Sequence, residues 1–164
     1  MRLEGKVLKL GDNIDTDIIL PAQYLALPLE EYSQHLMEPV RPDFNNLVAE
    51  GDFIFAGHGF GIGSSRGQAI EAIKSVGIKA IVAISCGRIF FRSAINEGLP
   101  FINCEDAYIH ADEGDSVQID IESSTIINKS KQLKHTFQPF PILLVDILSF
   151  GGGVNYYKQQ HRQK

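Results

Sequence analysis

A glycine-dense run, Gly57-His58-Gly59-Phe60-Gly61-Ile62-Gly63, ends in Ser64-Ser65-Arg66. Two hydroxyls and a guanidinium placed directly after such a run could bind an anion. The N–H groups of a glycine-rich turn and the positive end of a following helix both favour a carboxylate or phosphate. The two common nucleotide fingerprints are absent. No GxGxxG register fits, because Gly57-x-Gly59 is followed by Ile62 and Gly59-x-Gly61 by Ser64, and no Gly-Lys-Ser/Thr occurs. A plainer reading makes Ser64 or Ser65 a helix cap and Arg66 a solvated first-turn residue. That would suffice for an isolated triplet. It leaves unexplained the glycines before it, which cost entropy on folding and serve where backbone must approach a ligand closely.

Other residues capable of chemistry are sparse. Asp12, Asp15 and Asp17 fall in one polar loop, where a loop-capping role is the plain alternative. His35, His58, His110, His135 and His161 show no metal-ligand spacing, so surface or loop roles are their default. Cys86 and Cys104 lie inside or beside apolar runs and read as small buried thiols. Two widely spaced cysteines cannot supply the three or four thiolates of an iron–sulfur cluster or a structural zinc site. No metal site is expected on this chain.

The elements that must position these residues can be read in order. Gly5 to Leu10 alternate as a strand and stop at Gly11-Asp12-Asn13. Leu29, Tyr32, Leu36 and Met37 share helical spacing, closed by Pro39 and Pro42, and Asp43 can cap a short helix to Glu50. Phe53 to Ala56 is a buried strand leading into the glycine run. The helix after it should start at Ser64 or Ser65, bury Ala69, Ile70, Ile73 and Val76, and end at Gly77. Ile78 to Ile84, a helix over Arg88 to Asn96, and Leu99 to Asn103 follow. This order implies parallel pairing with right-handed crossovers. Beyond Cys104, Val117 to Ile121 and Thr125 to Ile127 suggest short antiparallel strands. Ile142 to Phe150 reads as a terminal helix broken at Gly151-Gly152-Gly153, with a frayed tail over 158–164. One α/β domain over 1–164 is expected.

Composition narrows the function classes. The 164 residues are 44% hydrophobic, enough for a core. A net charge of -5 with both signs interspersed argues against a nucleic-acid partner. No stretch is apolar for long enough to span a membrane, and no leader-like apolar region follows the N-terminus, so a cytoplasmic location is expected.

Several separated motifs, in one order along nearly the whole chain, carry a resemblance. They are Gly11-Asp12-Asn13-Ile14-Asp15-Thr16-Asp17, Pro21-Ala22-x-Tyr24-Leu25, Gly63-Ser64-Ser65-Arg66, and Arg88-Ile89-Phe90 with Asn96-x-Gly98-Leu99-Pro100. Together they resemble the small-subunit family of 3-isopropylmalate dehydratase, in the short form shared with archaeal-type homoaconitases. More widely they resemble the swivelling domain of the aconitase superfamily. The resemblance implies a swivelling β/β/α domain with a mainly parallel central sheet and short additional antiparallel strands. It also implies a partner, a large dehydratase subunit holding a four-iron four-sulfur cluster, in a heterodimer or heterotetramer that isomerises a hydroxy acid by dehydration and rehydration. Under that resemblance Ser64 is the base that removes a proton from the substrate carbon. Ser65 helps hold the resulting oxyanion or the substrate, Arg66 binds a substrate carboxylate, and Asp17 orients site groups.

The segment Tyr24-Leu25-Ala26-Leu27 resembles the family's specificity loop, where homoaconitase-type subunits place an arginine directly after the leucine. Ala26 with Leu27 would offer a small apolar pocket, suited to an isopropyl or methyl group and costly for a carboxylate. The implied activity is interconversion of 2-isopropylmalate and 3-isopropylmalate in leucine biosynthesis. Alternatives are a homoaconitase-, citramalate- or dimethylmalate-type relative, or a degenerate subunit that only binds a partner. The last is raised by Gly67-Gln68, which stands where the family usually has Glu-His or Glu-Gln. Ile62 and Cys86-Gly87 also depart from the family's cysteine and phenylalanine-alanine.

Overall fold

Alternation along the short strands sorts the core onto two faces of one sheet. In the computed structural model, which describes residues 1–64 and 66–162, Phe53 and Phe55 of strand β2 (Phe53–Ala56) join Val7, Val82, Ile102, Ile119 and Phe137 on one face. Ile54 and Ala56 join Leu8, Ile81, Ile70, Ile73 and Phe90 on the other. A strand apolar on both faces is what a covered parallel sheet demands. β3 (Ala80–Ala83) is likewise buried throughout.

The sheet has seven strands among the described residues, in the order β4-β3-β2-β1-β5-β6-β7. The remaining strands are β1 (Arg2–Lys9), β4 (Phe101–Asn103), β5 (Ser116–Asp120), β6 (Thr125–Asn128) and β7 (Leu133–Thr136). β1 joins two halves. Val7 to Lys9 pair in parallel with Phe53 to Phe55, whereas Arg2 to Lys6 pair antiparallel with Asp120 to Ser116. β2, β3 and β4 continue the parallel half, and β5 to β7 the antiparallel half. The fold is thus the α/β arrangement expected, with its parallel and antiparallel pairings equal in number.

The helices are α1 (Thr16–Ile19), α2 (Leu29–Tyr32), α3 (Phe44–Leu47), α4 (Gly67–Ser75), α5 (Arg88–Asn96), α6 (Glu105–His110), α7 (Ile142–Ser149) and α8 (Gly153–Arg162), with 3-10 turns at Ala22–Tyr24 and Ser33–His35. α4 and α5 place Ala69, Ile70, Ala72, Ile73, Phe90 and Ala94 on the Ile54 face. Gly77 follows the α4 C-cap at φ +99°, the left-handed position that glycine takes at a helix end.

Five expectations need correction. The helical spacing of Leu29 to Met37 yields only α2 and a 3-10 turn, because Leu36 is extended and Met37 sits at φ +58° with its N–H donated to Ile19 O. α3 stops at Leu47, and Asp43 makes no side-chain cap. α4 begins at Gly67 with Arg66 at its N-cap, so Ser64 lies outside the helix and caps nothing there. Ser65 lies outside the described residues. α6 was not anticipated. The tail is helical through Arg162, because Gly152 and Gly153 pack against Asn96 and let α8 start beside α5.

Candidate active site

Three loops leave the carboxyl ends of β1, β2 and β3, the edge where open α/β sheets bind ligands. Backbone hydrogen bonds knit them together. Asn13 N donates to His58 O (2.7 Å), Gly57 N to Gly11 O (3.1 Å), Gly61 N to Ile14 O (2.7 Å) and Thr16 N to Ile62 O (3.2 Å). The third loop joins through Phe60 N to Ser85 O (3.1 Å), Gly87 N to Phe60 O (2.9 Å) and Gly59 N to Ser85 Oγ (2.9 Å). Two of the loop aspartates serve this frame. Asp12 Oδ1 accepts from His58 N at 2.7 Å, and Asp15 caps α1 by accepting from Ile18 N at 2.8 Å.

Close approach explains the glycines. At Gly61 (φ +66°) a Cβ would fall into the Phe90 ring, and one at Gly87 would strike the Gly61 carbonyl. Gly67 differs: a Cβ there meets nothing within 4 Å, and the first turn of α4 carries no acidic residue. The departure at position 67 therefore removes a side chain from open space without a packing change.

The frame leads to Arg66 and Asp17. Arg66 Nη1 lies 2.8 Å from Asp17 Oδ1, with the arginine side chain 24% exposed and the aspartate 64%. The pair lacks hydrogen-bond alignment, so Nη1 is buried with its N–H unmatched. An arginine held by a carboxylate yet not fully hydrogen-bonded is suited to take a second carboxylate in its planar fork. Ser64 is exposed two residues earlier, beside the uncancelled positive end of α4.

The segment 20–36 follows α1 and packs against α4, the helix that Arg66 precedes. Its base is closed by Met37 N donating to Ile19 O at 3.0 Å, and its flank by Tyr32 OH donating to Glu71 Oε2 at 2.9 Å. Burial and the Glu71 carboxylate push the Tyr32 phenol up to about 12, which keeps it a donor. Leu25 and Leu27 turn onto the core, leaving Ala26 exposed at the tip with Tyr24 half-buried behind it. The pocket expected from Ala26 and Leu27 together therefore reduces to Ala26. Sequence reasoning missed Tyr32, Glu71 and a Tyr24–His35 contact, none of which has a spacing signature.

The cysteines stand apart from all this. Cys104 belongs to the Phe53 face and Cys86 packs toward the Ile54 face, and burial pushes both thiols up. Among the described residues no three His, Cys, Asp or Glu side chains converge as metal ligands. Two cysteines on opposite faces of the sheet are too few and too far apart in the fold to ligate an iron–sulfur cluster together.

Comparison with known proteins accords with this geometry. The Aconitase C-terminal domain model matches residues 44–107. The 3-isopropylmalate dehydratase small subunit of Halothermothrix orenii is 44% identical over 96% of both chains. That of Sulfolobus acidocaldarius is 47% identical over 97% of this chain and 99% of its own. The chain belongs to the 3-isopropylmalate dehydratase small-subunit family. A solved structure of 3-isopropylmalate dehydratase from Methanocaldococcus jannaschii aligns with a TM-score of 0.91 at 41% identity, covering 98% of this chain and 96% of that one. A methanogen homoaconitase small subunit of Methanothermobacter thermautotrophicus is also similar, 46% identical over 94% of this chain and 90% of its own. Relatives at similar identity thus carry two different substrate names. Family membership makes the chain a subunit of a hydro-lyase.

Proposed function

We propose that this chain, acting as one swivel unit over 1–164, supplies the base and a carboxylate clamp to a dehydratase that interconverts 2-isopropylmalate and 3-isopropylmalate in leucine biosynthesis. Arg66 carries the reading: its guanidinium is held by Asp17 with a buried, unmatched N–H at the start of α4. In this reading Arg66 binds a substrate carboxylate and Asp17 fixes the fork's orientation. Ser64 Oγ, as alkoxide, takes the proton from the carbon next to the leaving hydroxyl, and returns one when water is added back in the opposite sense. A serine alkoxide is very unfavourable in water. The α4 N-terminus, loop N–H groups and Arg66 would stabilise it electrostatically, with Ser65 as a further oxyanion or substrate donor.

The partner in this reading is a large subunit, in a heterodimer or heterotetramer, and the four-iron four-sulfur cluster belongs to it. That cluster, held by the partner, would supply the Lewis acid that takes up the leaving hydroxyl, while the residues of this chain bind the carboxylate and move the proton. A cytoplasmic setting accords with two free thiols, and no helix among the described residues is long and apolar enough to cross a membrane.

The substrate follows from Ala26, with Tyr24, Leu25 and Leu27 shaping the loop. An alanine at this tip leaves room for an isopropyl group, whereas a third carboxylate covered there by the partner subunit would lose water without gaining a cation. The test is kcat/KM of the reconstituted pair on 2-isopropylmalate and on a homoaconitate-type tricarboxylate, for wild type and Ala26→Arg. Wild type should prefer isopropylmalate, and the variant should shift toward the tricarboxylate. A wild-type preference for the tricarboxylate overturns the assignment.

A further inference from the structure

Tyr24 and His35 stack face to face, with ring centroids 3.6 Å apart and planes inclined by 5°. This overlap is unlike the packing of the aromatic core, where Phe60–Phe90, Phe90–Phe101 and Phe91–Phe101 meet at 78°, 76° and 72°. Neutral rings favour such edge contacts or offsets, because the quadrupoles of fully overlapped rings repel. This overlap is therefore held by other contacts, and His35 has one: its Nδ1 lies 3.0 Å from Glu38 Oε2.

The two rings belong to elements with different anchorage. The 3-10 turn bearing His35 is tied to α3 by Asn45 Nδ2, which donates to Ser33 O (3.1 Å) and Gln34 O (2.6 Å). Tyr24 ends the other 3-10 turn, and its carbonyl accepts from Leu27 N at 3.0 Å, spanning Leu25 and Ala26. Fixing the Tyr24 ring therefore fixes the turn that presents Ala26. We infer that His35, oriented by Glu38, is a positioning residue that braces the Tyr24–Leu27 turn and thereby sets how tightly the site holds its substrate. The kinetic consequence rests on the proposed function, in which this turn meets the substrate. The brace itself does not.

The experiment has two arms. Limited chymotrypsin digestion of the full chain reads local opening at the Tyr24–Leu25 bond, and steady-state kinetics of the reconstituted pair read substrate binding. His35→Ala should speed cleavage there and raise KM for 2-isopropylmalate about tenfold, with kcat within about twofold. His35→Phe keeps a flat face that can slip to an offset stack on Tyr24 and should recover part of both effects, which a merely structural loss would not do. Glu38→Gln should fall between. Unchanged cleavage and unchanged KM in His35→Ala overturn the brace, as does a fall in kcat that His35→Phe fails to rescue. Faster cleavage with a wild-type pair inert on 2-isopropylmalate leaves the brace standing and overturns the substrate reading.

Discussion

In the antiparallel half of the sheet, Asp115 accepts hydrogen bonds from Asn128 Nδ2 (2.7 Å) and Asp112 N (2.9 Å), with Lys131 Nζ 3.6 Å away. Asp120 likewise accepts from Glu122 N (3.1 Å), Ser123 N (3.3 Å) and Arg2 (3.3 Å). In the parallel half, the loops satisfy their backbone groups on one another and leave Asp17, Ser64 and Ala26 exposed. The first arrangement closes polar groups onto the chain itself. The second builds a rigid frame chiefly from backbone, with Asp12, Asp15 and Ser85 as its side-chain members, so that other side chains stay available to a ligand or a partner. Glycine makes the second possible, because three loops can interlock only where no Cβ intervenes.

Breaking the backbone frame should have the larger effect. Gly61→Ala places a Cβ in the Phe90 ring at a left-handed φ, and should cost about 2–4 kcal/mol of stability in urea unfolding. Activity of the reconstituted pair should fall with it. A neutral Gly61→Ala would show that the loops are not locked together.

Breaking the antiparallel network should cost stability and spare the chemistry. Asn128 is buried, donates to Asp115 and accepts from Lys131 N at 3.0 Å, so Asn128→Ala should lose about 1–3 kcal/mol with the pair's activity unchanged at neutral pH. It also has a pH signature. Partial desolvation pushes the Asp115 carboxyl up, but the Asp112 N–H, Asn128 and Lys131 outweigh it and hold the group below its ordinary value. A depressed carboxyl contributes stability that is complete above the unfolded value near about 4 and is lost as pH falls through the folded value. Removing Asn128 moves the folded value back up, so the variant should lose less stability on acidification than wild type. Equal acid slopes would sever Asp115 from this network.

The same contrast explains what could be read from the chain. β2 and α5 stand at the expected residues because Phe53–Ala56 is an unbroken apolar run and Arg88–Asn96 ends at Gly98 and Pro100. A shared role for Arg66 and Asp17 entered only through the family resemblance of their two motifs, since their 49-residue separation carries no periodic signal. α6 escaped notice because its six residues are too few for a period and only Ala107 is buried. The break at Met37 depends on a backbone bond to Ile19, and the Tyr24–His35 stack on two turns meeting in space. Local sequence encodes neither.

The most direct test of the central claim is kcat/KM of the wild-type and Arg66→Lys chains, each reconstituted with the large subunit and assayed on 2-isopropylmalate. Lysine keeps the charge and loses the fork, and the side chain stands at the N-cap rather than in the core. The expected result is a loss worth about 2–4 kcal/mol of transition-state stabilisation with thermal unfolding nearly unchanged. An Arg66→Lys pair with wild-type kcat/KM would contradict the role of Arg66 as the carboxylate clamp, and with it the proposed substrate site.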